Sequence, residues 1–136
     1  MFYLGIDIAK NTHVASLMDE KGKTIFKGFS FSNTTEGGKS LLEIIKKHSD
    51  FNDVTVGMEA TGHYWLSIYS FLYDYDFHCI HVINPIQTDG WRKSAEIRKR
   101  KNDTIDSVLI ADLIRYGFFS STFTNFLSTK IFKSFS

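Results

Sequence analysis

The 136-residue chain predicts an α/β domain built on a mixed five-stranded sheet with helices on both faces. Two observations carry this. Three β-type runs open the chain, and helical and β-type apolar patterns alternate after them. The length suits one domain with its own core. Phe2–Ile8 (FYLGIDI) is apolar and rich in strand formers. A turn at Lys10–Thr12 leads to a second strand, Val14–Met18, antiparallel to the first. Glu20-Lys21-Gly22-Lys23 signals a hairpin, and Thr24–Phe31 reads as the third strand.

Asn33-Thr34-Thr35-Glu36 is a capped helix start, and Leu41, Leu42, Ile44 and Ile45 form the apolar face behind it. Val54–Met58 is a short buried strand. Gly62–Tyr75 predicts a helix, with Trp65, Ile68, Tyr69 and Leu72 at helical spacing. Phe77–Ile83 is the fifth strand. Asn84-Pro85 ends it and opens a helix, because proline is tolerated in a first helical turn. Thr104–Tyr116 is the last helix. Residues 1–117 form the expected domain. Residues 118–136, rich in Ser, Thr and Phe and free of acids, read as a tail or as the start of a further region.

Hydrophobic residues make up 43% of the chain and charged residues 23%, which excludes a disordered chain. A single cysteine, Cys79, forms no internal disulfide and points to a reducing, cytoplasmic setting. The apolar start is cut short at Asp7, so neither a signal peptide nor a membrane span is expected. The net charge of +1 hides a local asymmetry. Arg92, Lys93, Arg98, Lys99, Arg100 and Lys101 face a single acid, Glu96, within ten residues. Such runs are commonly solvated faces. Placed just ahead of an acidic pair, this one suits a phosphate backbone, with Trp91 as a stacking surface.

Four acids stand out. Asp7 lies within the first apolar strand, where a buried carboxylate needs a partner or a metal and an outward one needs neither. Glu59 follows the fourth strand at the carboxyl end, where sites gather in open α/β sheets. Asp103 and Asp106 share one helix face, although a plain cap and a first-turn acid explain them equally well. No single acid is decisive. As a set they match the need of a hard divalent cation for carboxylate oxygens. They also match a two-ion phosphoryl-transfer site. His13, His48, His63, His78 and His81 show no zinc spacing with Cys79.

GIDIAK, MEATGHYW, HVINP and the basic run into KNDTIDSVLIADLIRYG together resemble the N-terminal domain of DEDD-type insertion-sequence transposases, the bridge-RNA-guided recombinases. The resemblance covers about Met1 to Gly117. It implies a RuvC-like, ribonuclease-H-like fold and places the signature acids at Asp7, Glu59, Asp103 and Asp106, as catalytic residues and as ligands of two Mg²⁺ ions, with Mn²⁺ as a substitute. It further implies action on DNA phosphodiesters, a structured guide RNA, a homo-oligomer and a C-terminal serine-bearing domain. The sequence ends at Ser136 without that domain, which is therefore an expected partner. Asn102 stands where the family commonly has threonine. Two other readings are a nucleic-acid-binding remnant without catalysis and a stand-alone Holliday-junction resolvase-like nuclease. A sugar-kinase-like reading of GIDIAK needs a duplicated domain, for which the chain is too short.

Overall fold

The computed structural model describes residues 1–94, 103–117 and 121–124. Six strands form one sheet: β1 (Phe2–Asp7), β2 (Thr12–Asp19), β3 (Thr24–Ser32), β4 (Val54–Glu59), β5 (Cys79–Ile83) and β6 (Ser121–Thr124). Their order is β3-β2-β1-β4-β5-β6. β1, β4 and β5 run parallel, while β2, β3 and β6 are antiparallel to their neighbours. The five expected strands are all present. The sixth is short, comes from the stretch after Gly117 and covers the β5 edge.

Four helices follow the expected order: α1 (Thr35–Lys46), α2 (Trp65–Asp74), α3 (Pro85–Ser94) and α4 (Asp103–Tyr116). Thr34 caps α1, its hydroxyl accepting from the Gly37 amide at 3.0 Å. Pro85 opens α3, where its missing amide costs nothing. α2 starts three residues later than the pattern predicts, because Gly62 takes φ +57 and turns the chain before Trp65. No helix among the described residues is long and apolar enough to cross a membrane.

The two faces of the sheet pack differently. Leu4, Ile6, Val56 and Met58 join Leu41, Leu42 and Ile45 of α1 and Ile68, Tyr69 and Leu72 of α2 in the main core. The opposite face carries α4. There Tyr3, Ile83 and Trp91 pack with Leu113 and Ile114. Gly5 and Gly57 are paired neighbours on β1 and β4, and both lie under α4. A Cβ on Gly5 would overlap the Ser107 carbonyl oxygen and stand 2.5 Å from the Ala111 amide nitrogen. A Cβ on Gly57 would stand 2.7 Å from the Ile114 methyl. The two glycines thus form a trough that lets the α4 backbone sit directly on the sheet.

A buried polar contact fixes the helix in that trough. The Ser16 and Ser107 hydroxyls, both nearly inaccessible to solvent, meet at 2.7 Å. Ser16 Oγ also accepts from the Gly28 amide at 3.1 Å, so the contact ties α4 to β2 and β3. At the far end of α4, Arg115 reaches the β2–β3 turn, where a Cβ on Gly22 would lie 3.1 Å from its guanidinium carbon. That turn is beside the start of β1, since Phe2 pairs with Asp19. α4 therefore runs antiparallel to β1, with its N-terminus toward Asp7.

Candidate nucleic-acid-processing site

The alternation of side chains along a strand decides where the acids point. Tyr3 and Gly5 face α4, so Asp7, two residues on, lies on the same face. Gly57 also faces α4, and so does Glu59 two residues beyond it. Ile6 pairs with Met58, which puts Asp7 and Glu59 side by side at the carboxyl ends of adjacent parallel strands. Glu59 in turn pairs with Ile83, which packs against α4 residues.

The helix brings its own acids to this end. Ser107 lies over Gly5. Asp103, four residues earlier, lies about 6 Å back along the helix axis. Asp7 lies about 6.6 Å past Gly5 along the strand. The first turn of α4 is therefore level with Asp7. Asp106 is buried at 7% exposure, while Asp7 and Glu59 are half-buried. The side chain of Asp103 lies outside the described residues, although its backbone opens α4. Asp7 and Glu59 thus lie on the α4 face at one end of the sheet, and the first turn of α4, which carries Asp106, lies at the same end.

Their donor chemistry is all carboxylate, which fits a hard divalent cation. Among the described residues no three His, Cys, Asp or Glu side chains close around a single point. Mg²⁺ does not require such a cage, since it keeps several waters and takes one or two carboxylates plus substrate phosphates.

The structure adds a residue that the sequence reading passed over. Thr88 on α3 is fully buried, and its hydroxyl lies 2.7 Å from Glu59 Oε1 and 2.8 Å from the Pro85 carbonyl. A threonine in a helix carries no sequence signal for such a role. Asp112 braces α3 against α4. It accepts from Trp91 Nε1 at 3.2 Å and from the Arg115 guanidinium at 2.9 Å. Trp91, expected as a stacking surface for nucleic acid, is half-buried and engaged with Asp112, Tyr116 and the α4 core. Arg92 and Lys93 fall within α3. Arg98, Lys99, Arg100 and Lys101 lie outside the described residues.

His13 anchors the loop behind Asp7. The Ala9 amide donates to its Nδ1 at 3.1 Å, and the ring packs on Phe31 at 5.4 Å. Burial lowers its pKa below the ordinary 6.5, outweighing the nearby Asn33 side chain. Burial lowers His81 in the same way. Protonation therefore favours the unfolded chain. The stability contributed by the neutral rings is complete above 6.5 and is lost as pH falls below it through the folded values. The urea midpoint is expected to drop between pH 7.5 and pH 5, and the His13 ring resonances are expected to titrate below 6.5. A midpoint independent of pH over this range would contradict the assignment.

The architecture is that of the RuvC-type, ribonuclease-H-like fold. A Thermus thermophilus RuvC structure superposes with a TM-score of 0.61 at 12% identity, covering 89% of this chain and 99% of that one. T. thermophilus RuvC in complex with a Holliday junction substrate superposes with a TM-score of 0.58 at 11% identity and the same coverage. Within that fold, residues 4–129 match the model of the IS110-type DEDD transposases, described as Transposase, and the chain belongs to that family. The pilin gene-inverting proteins of Moraxella bovis and Moraxella lacunata are each 33% identical over 117 residues, or 85% of this chain. The chain spans about a third (34%) of the length of these curated relatives.

Proposed function

We propose that this domain acts on DNA phosphodiesters in transposition or recombination, as the metal-dependent part of an IS110-type transposase. The observation that carries the reading is that Asp7 and Glu59 stand at adjacent strand ends on the side that α4 covers, at the end where α4 begins, in a chain of this family. The pilin gene-inverting relatives and the RuvC-type fold support the same class of chemistry.

Asp7, Glu59, Asp103 and Asp106 would hold Mg²⁺, or Mn²⁺ in its place, most simply as two ions. The bound ions would supply Lewis-acid stabilisation of charge on the phosphate oxygens. The chain's own part is to fix the carboxylates. β1 and β4 present two of them at adjacent strand ends, and the glycine trough with the Ser16–Ser107 contact holds the first turn of α4 against them. The basic stretch from Arg92 and Lys93 through Arg98, Lys99, Arg100 and Lys101 would lead the DNA backbone toward Asp103. We further propose a structured guide RNA, a serine-bearing C-terminal domain and a homo-oligomer as the working partners, in the cytoplasm.

The test is calorimetric. The chain is expected to bind Mn²⁺ saturably, and the Asp7→Ala, Asp106→Ala double variant is expected not to. Equal titrations for both would overturn the metal assignment. DNA binding that weakens steeply with salt in both chains, with no Mn²⁺ binding in either, would favour a nucleic-acid-binding role without catalysis.

A further inference from the structure

Thr88 is a fully buried hydroxyl that touches a signature acid. It sits one turn into α3, on the helix that leads from β5 into the basic stretch. A hydroxyl has one proton, and two acceptors compete for it here: Glu59 Oε1 at 2.7 Å and the Pro85 carbonyl at 2.8 Å. The charged acceptor makes the stronger bond, so the proton goes to Glu59. Glu59 is half-buried at the end of β4, and among the described residues its other oxygen, Oε2, meets only the Thr61 hydroxyl, at 3.5 Å. Among the described residues, Oε1 is thus fixed by a buried donor while Oε2 stays less constrained. The Pro85 carbonyl provides a second partner for the hydroxyl, so losing the carboxylate does not orphan the threonine.

We propose that Thr88 is a positioning residue for Glu59, holding the carboxylate in the orientation in which it takes a divalent cation. The inference rests on the metal reading above. Its physical basis is general: hydrogen-bond partners that orient a ligating carboxylate contribute to the affinity of the site, and losing one typically costs about 10–100-fold. The Thr88–Glu59 contact also ties α3 to the end of β4, so the helix that begins the basic stretch is registered against the acidic cluster.

The experiment is Mn²⁺ calorimetry on four chains: the native chain, Thr88→Val, Thr88→Ser and Glu59→Gln, each with its thermal midpoint measured without metal. Thr88→Val is expected to weaken Mn²⁺ binding about 10-fold or more, and Thr88→Ser, which keeps the hydroxyl, is expected to bind like the native chain. Rescue by serine separates positioning from packing, because serine loses the buried methyl but keeps the donor. If the native chain binds, Glu59→Gln does not and Thr88→Val binds normally, the inference on Thr88 falls while the metal reading stands. A native chain that binds no Mn²⁺ removes both. Weakened binding in valine and serine alike would assign the effect to packing and overturn the positioning role.

Discussion

Gly5→Ala is expected to cost about 3 kcal/mol or more of folding stability, at the upper end of what overpacking a core does. The reason is local and steric. The added methyl would overlap the Ser107 carbonyl oxygen and lie 2.5 Å from the Ala111 amide, so it meets helix backbone and not a yielding side chain. The helix must lift off the sheet, the Ser16–Ser107 contact at 2.7 Å must stretch, and the first turn of α4 must move away from Asp7. For a domain whose total stability is typically about 5–15 kcal/mol, this is a large fraction. Urea unfolding measures it directly. Gly90→Ala supplies the opposite sign: an added Cβ there meets nothing within 4 Å in the interior of α3. It is expected to stabilise by about 0.5–1 kcal/mol through helix propensity. Equal midpoints for Gly5→Ala and the native chain would refute the close seating of α4.

The second large effect separates function from stability. Asp106→Asn is expected to reduce Mn²⁺ affinity by roughly 100-fold or more, beyond what losing an outer partner of a ligand costs. Its thermal midpoint should move by no more than about 10 °C, since a first-turn acid in a buried setting is worth up to about 2 kcal/mol to a helix. Asp106 is 7% exposed, and asparagine keeps its shape while removing the charge. Bringing several carboxylates to one end of a sheet is repulsive. Neutralising one relieves that repulsion and offsets the lost helix-dipole interaction. An acid retained at a site for function is one whose removal costs binding and spares the fold. A collapse of the thermal midpoint in Asp106→Asn, with Mn²⁺ affinity preserved in whatever remains folded, would reverse the assignment and make Asp106 structural.

Much of this molecule was legible in its sequence. The five expected strands and four helices are where the periodicity and the turn residues place them, within a few residues at their ends. Local patterning is enough for this. β-branched runs, the Thr34 cap, Gly22 and Pro85 each act on the chain within a turn of themselves. The candidate acids were legible as a set of spacings, each with an ordinary structural explanation of its own. The strand after Gly117 was not legible, because Ser121–Thr124 gains its partner from β5, some forty residues earlier in the chain.

Tertiary structure decided the rest. Whether Asp7 faces solvent or the site follows from the glycine trough, because Gly5 is the residue that shows which face α4 covers. Thr88 reaches Glu59 and Asp112 reaches Trp91 only because α3 is folded back between β5 and α4, and neither spacing carries a period. Trp91 was read by its residue type as a surface for bases, and the structure packs part of it against Leu113 and Ile114. The sequence by itself determined which elements form and which acids are available. The placement of Asp7 beside Glu59 under the start of α4 depends on contacts between residues far apart in the chain, whose energies are set by close packing and not by local propensity.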